Sequence, residues 1–541
     1  MSSHPVRRRL TLLLLPVTLV ALGGAAGAQN TGARDDGRPI VTAAAQVTQN
    51  PNPVRAHSSP QIARNPKTGD LVIAETDVFG NPDFGVKIHV SVDAGRSWVA
   101  GGDPMMKPLT WNSDLAINGP YVTMAFTADA VLFVALSATD PKYGNLPRGE
   151  RPRSLVLARS TDSGRSFTHS VAYQAQEGNV KTINNRRPMV ALDPENPANV
   201  YLSWIQTSPQ EKSRSMIAAS SDGGRTFAAP VDLAEPVGQG GYQSRPAVGP
   251  DGSVHAIFPG GGFAPPVASG QPAAPPVVRP VFYRKSTDRG RTWTDPVEID
   301  PGSAGFSHNR KHQLAADPRS GTLYAVWYGI QNTRPAGGDD TDIMMRVSRD
   351  GGATWGDVVI INDEANRPNV RHYDPGIAIA PNGRVDVAWY DFRESPTPEA
   401  DNESAPFNKG GFQHVYYSSS VDQGRSWSPN LRISDRLIDR NIGVWSNNVH
   451  SHYNVGIANS DDAVHFAWQD SRNGNAMTNA EDVYFASLYL DGRDVAGGGD
   501  GSSVPGWILL GAGTAVGMGV AMLLVFLLAR RPQAEPTAAT R

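Results

Sequence analysis

The 541-residue chain contains no cysteine. Disulfides, thiolate metal centres and a lipidated cysteine are therefore excluded, and the core must be held by packing alone. It also lacks an excess of one charge. Its 49 basic and 52 acidic residues leave a net charge of -3, which argues against nucleic-acid binding. What it has in quantity is glycine, 55 residues, and proline, 43, spread between apolar stretches as in many short strands joined by turns.

Two charge-free apolar runs stand near the ends. Arg7, Arg8 and Arg9 precede about 14 apolar residues and then Ala26-Gly27-Ala28, the order of a cleaved signal peptide over residues 1–28. Gly506 to Ala529 is about 24 residues long, and at 1.5 Å rise it crosses a hydrocarbon layer of roughly 30 Å, so one C-terminal transmembrane helix is expected over 506–529. A glycine-rich linker, 495–505, precedes it. Arg530 and Arg531 open the tail, 530–541, and place that tail in the cytoplasm and the main section, 29–494, outside it. Gly513 and Gly517 form a G-x-x-x-G pair that could support a weak dimer.

The main section repeats itself. "SVDAGRSW" begins at residue 91, and related octets begin at 160, 220, 286, 348 and 420, so Asp93, Asp162, Asp222, Asp288, Asp350 and Asp422 recur at intervals of 60 to 72 residues. That interval holds about four strands with their turns. Glycine supplies positive φ, aspartate binds nearby backbone N–H groups and the aromatic pins the loop, which together describe a tight strand-to-strand turn. Six copies of one carboxylate, dispersed around an array, could not converge on one substrate.

These octets resemble those of the Asp-box, or BNR-repeat, β-propellers, the family that includes sialidases. The resemblance implies an all-β fold in which the box closes the hairpin between the third and fourth strands of each blade, opposite the active site. A second repeat, two apolar strands around a D-P, N-P or N-G turn and often ending in tryptophan, occurs seven times, from "PQIARNPKTGDLVIAETD" at 60 to "YNVGIANSDDAVHFAWQDSRNG" at 453. Seven blades are expected, or six if the second copy, at 115, is an elaboration. The last copy lacks a box, and "RPIVTAAAQVTQN" at 38–50 can supply its missing outer strand and close the ring.

The resemblance also implies a ligand site at the channel mouth, where the innermost strands begin. The residues there are Arg187, Arg245, His312, Tyr373, Asp374, His452 and Tyr453. Arginine pairs naturally with a carboxylate through its planar fork; the rival account makes these residues inter-blade salt bridges and satisfied rim groups. "WYDFR" at 389 and "WQDSR" at 468 place Asp391, Arg393, Asp470 and Arg472 at the ends of second strands, where ion pairs within the loops are expected. Sialidases use an arginine triad, a tyrosine nucleophile with a glutamate, and an aspartate acid/base. Their F/Y-R-I-P motif is missing here: the matching stretch has Ser59 before Pro60. No spacing selects Tyr373 or Tyr453 as nucleophile, or Glu75 or Glu394 as its partner, so no catalytic residue is assigned. His450 with His452, and the acidic "GGDDTD" at 337–342, read as surface groups, so no metal or cofactor is expected. The function expected is an extracytoplasmic, membrane-anchored sialidase-like propeller that binds a glycan or other cell-surface ligand. The alternative is an active exo-sialidase or related glycoside hydrolase.

Overall fold

The computed structural model describes residues 39–53, 55–80, 83–110, 122–146, 151–174, 184–207, 212–238, 240–261, 280–302, 312–329, 341–364, 370–395, 411–443, 455–491 and 502–503. Within Gly37–Arg541, every sheet is antiparallel and each is built from strands adjacent in sequence, apart from the closing one. There are seven such sheets, here called blades I to VII. Their inner strands are Ala56–Arg64, Thr123–Phe126, Asn184–Leu192, Arg245–Val248, Gln313–Ala316, His372–Ile379 and Gly456–Asn459. Each inner strand packs beside the next, and that of blade VII packs beside that of blade I. The ring is a seven-bladed propeller; the second repeat copy forms a full four-stranded blade, which removes the six-bladed alternative.

The N-terminal segment completes blade VII. Ile40 and Val41 pair with Tyr489 and Leu488, and Ala45 and Gln46 with Phe485 and Tyr484, so the third strand, Asp482–Tyr489, gains the partner that the sequence after it does not provide. Ser502–Ser503 adds outside Ile40–Val41. The expected span at 506–529 and the leader at 1–28 lie outside the described residues, among which no helix is long and apolar enough to cross a membrane.

Alternation along the strands puts apolar residues on both faces of every blade, and they meet in seven clusters, one between each pair of neighbours. One position of the second strand, its fifth residue in blades III, V and VI and its sixth in blade VII, is the largest contributor: Trp204, Trp327, Trp389 and Trp468 are fully buried there. Blade I has Glu75 at the same place, 1% exposed.

Strand register separates the two ends of the ring. Arg64 pairs with Leu71, and Leu71 with Ser91, so the repeated loop lies beside the turn between the first two strands. All six repeated loops join a third strand to a fourth. Each makes the same four bonds. In blade II, Ser160 Oγ donates to Asp162 Oδ1 at 2.6 Å, Gly164 N donates to Ser160 Oγ at 2.8 Å, and Ser166 donates through N to Oδ1 and through Oγ to Oδ2 at 2.9 and 2.6 Å. The glycine is needed twice over. Gly352 has φ of 92°, and a Cβ there would fall 1.7 Å from Tyr283 Oη of the preceding blade. The loop end is thus a set of turns, satisfied internally and seated on the neighbouring blade. The opposite end is the mouth.

Candidate functional site: the channel mouth

Three of the seven inner strands are broken at the mouth in the same way. Ser59, Arg187 and Asp374 have φ of 58°, 54° and 55°, each directly precedes a proline, and each falls where the pairing with the second strand slips. A β-bulge re-aims side chains. A left-handed residue with a Cβ, placed before proline, is sterically disfavoured and is sustained by its surroundings. Arg245-Pro246, by contrast, continues in regular register with Ile257 and Ala256.

Blades III and IV bring arginines to the mouth, and blade V brings a histidine. The Arg187 guanidinium lies over the Tyr242 ring at 5.0 Å. Gln243 Nε2 donates to Arg187 O at 3.3 Å and reaches Met189 Sδ at 3.1 Å, and Arg245 Nη1 reaches the same sulfur at 2.6 Å. Arg245 Nε donates to His312 O at 2.8 Å, and the buried His312 ring stacks on Trp327 at 6.2 Å. Arg187, Arg245 and His312 therefore form one connected group across three blades.

Blades VI and VII present carboxylates. Asp374 is 1% exposed. His372, equally buried, donates through Nδ1 to Thr341 O, and its Nε2 lies 2.6 Å from Glu364 Oε1 and 3.3 Å from Asp391 Oδ2. Burial pushes its pKa down, but Asp391 and Glu364 outweigh burial and raise it to about 10. Asp391 also accepts from Trp389 Nε1 at 2.9 Å and from Arg393 Nη2 at 2.8 Å; Arg393 extends to Asp363 at 2.7 Å and Glu364 at 2.5 Å over the Tyr416 ring. Blade VII repeats this arrangement. Trp468 Nε1 and Arg472 Nη2 donate to Asp470 at 3.0 and 2.7 Å, while Arg472 reaches Asp435 and lies 4.0 Å over Tyr484. The two W-x-D-x-R stretches are thus latches between neighbouring blades, as well as ion pairs within their own loops.

Asp342, Glu364 and His372 bring three ligand atoms within 4.8 Å of one another. They are the residues that could hold a cation. Asn362 Nδ2 already bonds Asp342 and Glu364 at 3.0 and 2.8 Å, and the Arg393 cation sits on Glu364, so existing donors take up much of this acidity.

The seam between blades VII and I is polar at the mouth. Glu75 Oε1 receives His57 Nδ1 at 3.1 Å and His89 Nε2 at 3.3 Å, with Asp77 Oδ1 3.6 Å from His57. Burial raises the Glu75 pKa, yet the two histidines prevail and hold it below the ordinary range; in return, and against its own burial, His57 is raised. Arg55 forks onto Asp482 at 2.8 and 2.7 Å across the same seam.

Of the residues singled out from sequence, Arg187, Arg245, His312, Tyr373 and Asp374 all lie at the mouth. His452 and Tyr453 lie outside the described residues. Tyr373 sits edge-on to Tyr328 and Phe392, at 5.2 and 5.7 Å. Glu75 and Glu394, considered as partners for Tyr373 or Tyr453, engage others: Glu75 the two histidines, and Glu394 the Tyr416 hydroxyl, which donates to it beside Arg432 at 2.9 Å. Burial, and then Glu394, push the Tyr416 phenol up, so it stays protonated. His57, His372, Tyr416 and the bulges were missed. Ser59-Pro60, Arg187-Pro188 and Asp374-Pro375 were the available signal.

No family model and no curated protein matches the sequence. Solved structures similar in fold are β-propellers of sialidase, endosialidase and arabinofuranosidase type. The phage phi92 endosialidase is 10% identical over 86% of this chain and 72% of its own, with a TM-score of 0.45. The Hadza microbial sialidase Hz136 is 12% identical over 83% and 92%, at 0.40. The GH93 α-L-arabinofuranosidase of Fusarium graminearum is 13% identical over 64% and 92%, at 0.39.

Proposed function

We propose that the chain is an exported propeller, held to a membrane through residues 506–529, whose mouth binds an anionic glycan or another carboxylate-bearing surface ligand. One observation carries the reading. Arg187 is held left-handed on a bulge before a proline, its guanidinium spread on Tyr242 beside Arg245. Such a conformation costs about 1–2 kcal/mol, which the surrounding structure must offset. Packing alone does not call for it, because blades IV and V enter their inner strands without a bulge. A planar cation backed by an aromatic ring is suited to a carboxylate next to a sugar face.

A glycosidase of sialidase type is the second reading, favoured by one contact, the Tyr416 hydroxyl on Glu394. That pair lies in blade VI, with Arg393 over the ring, whereas the Arg187 and Arg245 group lies in blades III and IV, which makes binding without turnover the better account.

The test is a titration of the full chain in mild detergent with sialylated and uronate-bearing oligosaccharides and their neutral counterparts. The acidic sugars bind, and Arg187→Ala weakens them about 10- to 100-fold, the value of a charge-assisted hydrogen bond, while the melting temperature stays put. Equal affinity for acidic and neutral sugars sinks the reading. Release of free sugar that stops in Glu394→Gln replaces it with the hydrolase.

A further inference from the structure

The mouth and the loop end face opposite ways, so an anchored propeller must present one of them to the bilayer. The register of blade VII decides which. Its third strand runs from the mouth, where Asp482 pairs with Asp470, to the loop end, where Tyr489 pairs with Ala463. Ile40–Val41 lies antiparallel to it at the Tyr489 end. Ser502–Ser503 is antiparallel to Ile40–Val41 in turn, with Ser503 opposite Ile40 and Ser502 opposite Val41. The chain therefore leaves the propeller heading out of the loop end. Only Val504 and Pro505 separate Ser503 from the apolar run that opens at Gly506, a reach of about 7 Å. The glycine-rich linker alone would leave the orientation free, but its pairing with the outer strand of blade VII uses up that slack.

A second observation concerns the loop tips. The variable residue of S-x-D is Thr161, Ser221, Thr287 and Arg349 in blades II to V, but Val92 in blade I and Val421 in blade VI. Both valines are out in solvent, 66% and 77% exposed. Blades I and VI are the two neighbours of blade VII in the ring. The exposed apolar tips thus flank the point where the chain leaves, where an interface that accepts apolar side chains would lie.

We infer that the propeller is held with its repeated-loop face against the membrane surface, Val92 and Val421 touching it, and its mouth directed away. The inference rests on the anchoring proposed above. It explains how a site at the mouth stays open to ligands from the surroundings.

The absence of native cysteine makes the test direct. Val421→Cys at the loop end and Lys142→Cys, on the connection beyond Thr139 at the mouth end, are introduced singly into the full chain and labelled with a donor dye. Each is reconstituted into vesicles carrying a lipid-linked acceptor and recovered by flotation. The ends of an eight-residue strand are roughly 26 Å apart, so energy transfer from position 421 exceeds that from 142 about twofold or more. Equal transfer, or more from 142, overturns the orientation while leaving the anchor standing. Failure of the chain to float with vesicles overturns the anchoring and the orientation with it.

Discussion

The two ends of each blade are made by the same strands and solve opposite problems. At the loop end, one solution is used six times: a serine, an aspartate and a glycine satisfy each other within a few residues. At the mouth, three blades share a bulge and two share a W-x-D-x-R latch, but the groups they carry differ. Blade I has a glutamate between two histidines, blade III a bulged arginine on tyrosine, blade VI a histidine between carboxylates. Even histidine behaves differently at the two ends. His465 and His255, near the loop end, are held neutral by burial at about 3 and 4, whereas carboxylates at the mouth outweigh the burial of His372 and raise it to about 10. Repetition marks where the fold looks after itself. Divergence marks where something other than folding has shaped the residues.

The largest expected effect tests that contrast with one substitution at each end. Asp391→Ala at the mouth leaves His372, Arg393 and the Trp389 N–H facing a void in a fully buried site, and costs about 3–5 kcal/mol. Asp162→Ala in a repeated loop removes bonds whose donors can turn to water, and costs about 1 kcal/mol. Urea unfolding of the two variants is the measurement. Equal losses would mean that the ends are energetically alike and that the difference between them is one of appearance.

A second contrast is read from pH. The raised His372 adds stability that is complete below its ordinary value near 6.5 and is lost as pH rises from there through about 10. Facing it are Asp391 and Glu364, with Arg393 behind them. The depressed His465 works the other way, adding stability above 6.5 that is lost as pH falls toward about 3. Stability curves between pH 4.5 and 10 should therefore flatten on the alkaline side in His372→Gln and on the acid side in His465→Gln. A variant that flattens the opposite limb breaks the assignment.

How much of this the sequence disclosed follows the same division. The seven blades and the closure by residues 38–50 were legible because each repeat carries its own turn chemistry and apolar alternation, all within a few residues. The residues at the mouth end of the inner strands were legible as a set, since repeat alignment places Arg187, Arg245, His312 and Asp374 at equivalent positions. Their partners were not. Glu75 meets His57 and His89 across strands, and His372 meets Glu364 across a blade boundary, so no local spacing reports either contact. The glutamate could still have been suspected, because it stands where blades III, V, VI and VII have tryptophan.

The smallest expected effect is the most pointed, because its sign separates the two explanations of the bulges. Ser59 is left-handed before Pro60, 8% exposed, and its hydroxyl has, among the described residues, one long contact, with Ser58 at 3.4 Å. If that geometry merely tolerates serine, glycine fits it better, and Ser59→Gly raises stability by about 1 kcal/mol, the left-handed penalty removed less the entropy that glycine adds to the unfolded chain. If the bulge also aims the side chain at a ligand in the mouth, the same variant binds an acidic sugar more weakly even as it becomes harder to unfold. Thermal unfolding and one titration on a single preparation give both numbers. Opposite signs would place Ser59 with Arg187 among the residues whose strain serves the site, and a gain in stability at unchanged affinity would return it to the fold.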